Sequence, residues 1–130
     1  LYREAPLNSI WEGSGNVMCL DVLRVLAREP AAIPALLAEL DAARGGHDLL
    51  DTAIDALKTE LTDLENVELR ARGITELTAT VLQGALLVRH APPAVADAYC
   101  VSRLGPRWTG AYGTLPPDMD FDAIISRAAG

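Results

Sequence analysis

Aromatic rings, cysteines and lysines are scarce in this sequence, and each scarcity removes a class of protein. There are two Trp, three Tyr and one Phe among 130 residues, and β-branched residues rarely run together, so the sequence carries no strand signal. Cys19 and Cys100 stand singly, without CxxC spacing; that excludes a zinc ribbon or disulfide framework and predicts reduced core cysteines of a cytosolic protein. Lys58 is the single lysine among 11 cations, which face 18 acids for a net charge of −7. A general grip on nucleic acid, which depends on neutralising phosphates, is disfavoured. No apolar run reaches membrane length and no secretory leader pattern appears, so a soluble, cytoplasmic protein without membrane partners is expected. No repeat or low-complexity stretch interrupts the chain.

What is present is Leu, Ala, Val and Ile: half of the residues are apolar, enough for the core of one domain. Eight prolines fall mainly outside the periodic stretches. The expected fold is all-α, a bundle of about five helices with a Pro/Gly/aromatic C-terminal loop and a short last helix.

The most informative stretch is Ser9-Ile10-Trp11-Glu12-Gly13-Ser14-Gly15-Asn16. Glu12, flanked by Ile10, Trp11 and Gly13, has little local water and no adjacent cation. Burial there would raise its pKa toward the range of a general base. Gly13 to Asn16 let backbone N–H groups turn together at a helix N-terminus, which suits an anion or a carbonyl oxygen. The plainer alternative is an N-cap by Ser14 or Asn16, with glycines that merely turn the chain.

The run from Leu1 to Val17, with Trp11-Glu12-Gly13-Ser14 matching an aromatic-Glu-Gly-Thr signature, resembles the C-terminal part of acyl-CoA dehydrogenases, in the AidB-like alkylation-response branch. Met18 to Leu26 and Ala98 to Leu104 extend the likeness. The resemblance implies that Glu12 is the catalytic base that removes the α-proton of an acyl-CoA thioester while a hydride leaves to FAD. It also implies that the Glu12 backbone N–H donates to the thioester carbonyl, that Ser14 and Asn16 contact the flavin's phosphate and ribose, and that Trp11 and Arg24 narrow the substrate cavity. Without it, Arg24 reads as half of an intrahelical pair with Asp21 or Glu29. Since Leu1 opens inside the motif, residues 1–130 are expected to be the C-terminal helical domain of a longer flavoprotein, missing roughly its upstream two-thirds by ordinary domain sizes.

Along the chain, residues 16–28 predict a nearly all-apolar helix with one polar stripe at Asp21, Arg24 and Arg28. A helix of that kind wants neighbours on several sides, and self-association into a homo-oligomer is expected to supply some of them. Pro30 is expected in the first turn of a second helix with apolar Ile33, Leu36, Leu37 and Leu40, ended by Gly45-Gly46. Leu50, Ile54, Leu57, Leu61 and Leu64 form a heptad-like seam, with Asp51, Asp55, Lys58, Glu60, Asp63 and Glu65 expected to face solvent. A fourth helix is expected after Gly73, and Pro92-Pro93 starts a fifth that Gly105-Pro106 stops. The segment from Trp108 to Pro117 predicts an ordered loop packed by Trp108 and Tyr112, before a last helix capped by Asp120 or Asp122.

Other chemistries find no pattern. His47, His90, Cys19 and Cys100 are too scattered for a metal site. Gly13-Ser14-Gly15 is neither a GxSxG elbow, a GxGxxG turn nor a P-loop. The rival reading follows from the same resemblance: the AidB-like branch is associated with protection of alkylated DNA. Arg70 and Arg72, Arg89 with His90, and Arg103 with Arg107 are the basic groups that a DNA-contacting face would have to gather. A third reading makes the bundle a subunit-contact domain.

Overall fold

The computed structural model describes residues 14–63, 65–106 and 115–129. Among them lie six helices and no strand: α1 (Ser14–Arg28), α2 (Ala32–Asp41), α3 (Asp48–Thr62), α4 (Val67–His90), α5 (Pro93–Arg103) and α6 (Phe121–Ala129). The expected all-α bundle is what forms. Its axis is α4, about 36 Å long at 1.5 Å per residue, against which α1, α2, α3 and α5 all pack; α6 rests on α5.

The core follows the predicted periodicity. Leu40 of α2, Leu50, Ile54 and Leu57 of α3, Ile74 and Val81 of α4 and Cys100 of α5 are fully buried. Each large aliphatic chain removed from water contributes about 1.5–3 kcal/mol. Gly84 lets three helices meet: a Cβ there would lie 3.2 Å from Leu50 Cδ1 and 3.3 Å from Leu104 Cδ1. Tyr99 adds a polar tie across the same junction, its hydroxyl donating to the Thr80 carbonyl at 3.1 Å.

Two boundaries differ from expectation. Pro30 lies in a turn closed by Ala32 N–H to Glu29 O at 2.9 Å, and Pro34 takes the place in the first turn of α2, where its missing N–H would have had no helical partner anyway. The fourth helix starts at Val67, six residues before Gly73. An interior glycine costs a helix about 1 kcal/mol, but burial of Ala71 and Ile74 on either side of it outweighs that. Asn66 makes the reversal from α3 possible by adopting φ 50°, a left-handed conformation that asparagine tolerates. Arg70 secures the turn by donating to the Asp63 and Glu65 carbonyls.

The acidic face of α3 is also less free than expected. Asp55 pairs with Arg44, Lys58 with Asp41 at 2.8 Å, and Glu60 and Asp63 with Arg70. Asp51 accepts from the Gly45 N–H at 3.1 Å. His47 begins α3 as its N-cap: Nδ1 accepts from Leu49 N–H at 3.2 Å while Nε2–H donates to Asp97 of α5 at 3.2 Å. Asp120 caps α6 through the Ala123 N–H at 2.9 Å. Leu64 of the predicted seam, and Trp108 and Tyr112 of the predicted loop, lie outside the described residues.

Candidate functional site

Of the five site residues expected from the sequence, Ser14, Asn16 and Arg24 fall on α1, while Trp11 and Glu12 lie outside the described residues. Ser14 opens the helix, half-buried, and Asn16 is exposed within its first turn. Cys19, Val22, Leu23 and Leu26 form the better-covered side of α1, and α4 and α2 pack against the helix. The N-terminal end of α1 is thereby brought beside α4. Asn16 Oδ1 accepts a hydrogen bond from Arg72 Nε at 2.7 Å, and a Cβ on Gly15 would lie 3.2 Å from Arg72 Nη2.

The groups gathered there are donors. The first turn of α1 has no acidic residue, its leading backbone N–H groups have no partner within the helix, and the adjacent guanidinium only donates. Because Arg72 occupies the Asn16 oxygen, the amide's two N–H bonds point elsewhere. A helix N-terminus carries partial positive charge and ordinarily attracts acids, so an arginine in place of acids suits a negatively charged ligand, such as a phosphate.

Arg24 pairs with Asp21 one turn back, both side chains more than half exposed. Of the expected basic groups, Arg70 is held by Glu60 and Asp63 and Arg89 by Glu39, while Arg107 lies outside the described residues. Arg72 was counted only among those basic groups; nothing local in the sequence marks it as the partner of a residue 56 positions away.

Elsewhere the chemistry is quiet. No cluster of metal-ligating side chains occurs among the described residues. Burial, reinforced by the Asp97 charge, pushes the Cys100 thiol up to about 11, which leaves it protonated and unreactive at neutral pH. A cleft of about 250 Å³ is lined by Gly73, Leu77 and Arg103. Another of about 110 Å³, lined by Leu23, Ile33 and Ile74 among others, is far smaller than ordinary ligand pockets.

No family model matches the chain. It is, however, 39% identical over 107 residues, 82% of its length, to the curated Escherichia coli (strain K12) protein named "Putative acyl-CoA dehydrogenase AidB". The chain belongs to the acyl-CoA dehydrogenase family, in its AidB-like branch. The match spans 19% of that relative's length, so the chain spans about a fifth of the curated relative it matches. No helix among the described residues is long and apolar enough to cross a membrane.

Proposed function

We propose that the chain is the C-terminal helical domain of a longer cytoplasmic, FAD-dependent oxidoreductase acting on acyl-CoA-type thioesters, with Glu12 as the base. The observation that supports this best is the donor-rich end of α1. Directly after Glu12-Gly13, the first-turn N–H groups, the Asn16 amide and the Arg72 guanidinium lie together, and the first turn of α1 itself carries no acidic residue. That donor set fits the phosphate and ribose of a flavin dinucleotide.

Bound FAD would supply the hydride acceptor. The chain's own residues do the rest. Glu12 takes the α-proton, a task that needs a carboxylate of raised basicity because a carbon acid beside a thioester is weak. Its backbone N–H stabilises the enolate-like oxygen, as oriented donors do wherever negative charge develops on a carbonyl. Ser14 and Asn16 hold the cofactor, and Trp11 and Arg24 limit the space for the acyl group. The 130-residue chain alone is expected to be inactive, since one helix end cannot enclose an isoalloxazine.

The outer side of α1 supports an assembly role in the parent. Val17 and Met18 are each 60% exposed and Val25 52%, apolar area that a homo-oligomer contact would cover. A DNA-contacting role is the second reading, and the ion pairs of Arg70 and Arg89 count against it. At physiological salt, duplex should bind no more tightly than about 10⁻⁴ M, the weak end of non-specific affinity.

The test is the absorption spectrum of the purified full-length parent, before and after acyl-CoA thioesters of several lengths are added. Flavin bands that bleach with one of them support the assignment. A protein that purifies without flavin and takes up none contradicts it.

A further inference from the structure

The tie between α1 and α4 assigns a role to a residue that the family motif does not contain. We propose that Arg72 is a positioning residue of the cofactor site: its guanidinium fixes the Asn16 amide so that both amide N–H bonds face the flavin's phosphate and ribose. This rests on the cofactor reading given above.

Three observations carry it. The 2.7 Å bond runs from Arg72 Nε to Asn16 Oδ1, and because a guanidinium has no acceptor, it also fixes which end of the amide turns away. Gly15 leaves room for the contact: the site of its missing Cβ is 3.2 Å from Arg72 Nη2, so the guanidinium lies against the first turn of α1. The third is the contrast with nearby cations. Arg70 and Arg89 are paired with carboxylates, whereas Arg72, with Glu68 and Glu76 one turn to either side of it on α4, gives its hydrogen bond to a neutral amide. The anchor is mechanically sound, since Arg72 sits between buried Ala71 and Ile74 on the central helix. Asn16, near the end of a helix with no buried residue, would otherwise be held by little.

The experiment is a double-mutant cycle in the full-length parent, reading the FAD dissociation constant by flavin fluorescence and the melting temperature of the apoprotein. A hydrogen bond from a charged donor is worth about tenfold or more in affinity. Arg72→Ala should therefore weaken FAD binding about tenfold, Asn16→Ala by a similar factor, and the double variant no more than either single one. Arg72→Lys, which keeps the charge and one donor, should recover part of the loss. All apoproteins should melt within a few degrees of the parent, because both residues are exposed. Losses that multiply in the double variant, or an Arg72→Ala protein with unchanged FAD affinity, would overturn the positioning role and leave the flavin assignment standing. A parent with Arg72 and Asn16 intact that binds no FAD would overturn the assignment itself, and the inference with it.

Discussion

Two adjacent glycines join α2 to α3, and the structure requires each for a different reason. Gly45 has φ +79°, with nothing within 4 Å of where its Cβ would be; Gly46 has no such φ, but its Cβ would overlap Val88 Cγ1 of α4 and lie 3.1 Å from the Ala43 carbonyl oxygen. Gly45→Ala should cost about 1–2 kcal/mol, the strain of an L residue in left-handed backbone, and Gly45→Asn should cost less because asparagine tolerates that region. Gly46→Ala should cost about 1–3 kcal/mol, as overpacking does, since the overlapped methyl belongs to a β-branched side chain that cannot swing aside. The difference lies in rescue. Val88→Ala removes the overlapped methyl, so Gly46→Ala should be nearly neutral in that background, a coupling of about 1 kcal/mol or more between contacting residues. Gly45→Ala should cost the same whether or not Val88 is present. Urea unfolding followed by circular dichroism would measure each of these values. If Gly46→Ala and Val88→Ala simply add, the close approach of the α2–α3 connection to α4 is wrong.

The two thiols should separate cleanly: a thiol reagent at pH 8 should label partly exposed Cys19 in the native protein and buried Cys100 only after unfolding, and equal native rates would contradict the packing of α5. Folding raises the Cys100 pKa from 9.0 to about 11, so its contribution to stability is complete below pH 9.0 and lost as pH rises through 11; Cys100→Ala should flatten the alkaline limb of a stability–pH curve, and an unchanged limb would count against it. Hydrogen bonds from Lys58, then Arg44, hold the Asp41 carboxyl below its ordinary 3.8, so whatever Asp41 contributes is present above pH 3.8 and lost as pH falls through its lower folded value. Carbon-detected titration should show that low midpoint, and Lys58→Met should raise it; a midpoint indifferent to Lys58 would refute the pairing.

Much of the bundle was legible because its signals are local. The spacing of Leu50, Ile54 and Leu57 marks the buried side of α3, Asp120 sits one residue ahead of α6 as a cap should, and Asp21 with Arg24 is an i, i+3 pair visible in the sequence. What escaped depends on distant partners. Gly73 looked like a helix start because glycine usually interrupts one, and only the packing of Ala71 and Ile74 shows why α4 continues through it. The α3 acids do face solvent, but their ion pairs were not visible in the sequence because Arg44 reaches Asp55 from the flanking turn and Arg70 reaches Glu60 from the next helix. Within the candidate site, Ser14 and Asn16 were marked by their motif, but Arg72 meets Asn16 from 56 residues away, a proximity that only the docking of α1 on α4 creates.

The central claim is that Glu12 is a base, and the measurement that tests it most directly is stopped-flow flavin reduction in the full-length parent carrying Glu12→Gln. Glutamine keeps the shape and the backbone N–H but cannot take the α-proton. The account predicts that acyl-CoA binding and the flavin spectrum survive, while the rate of bleaching falls by about 10² or more, the usual cost of losing a general base. Bleaching at the rate of the unsubstituted parent would contradict it and return Glu12 to the role of a residue that merely precedes a turn.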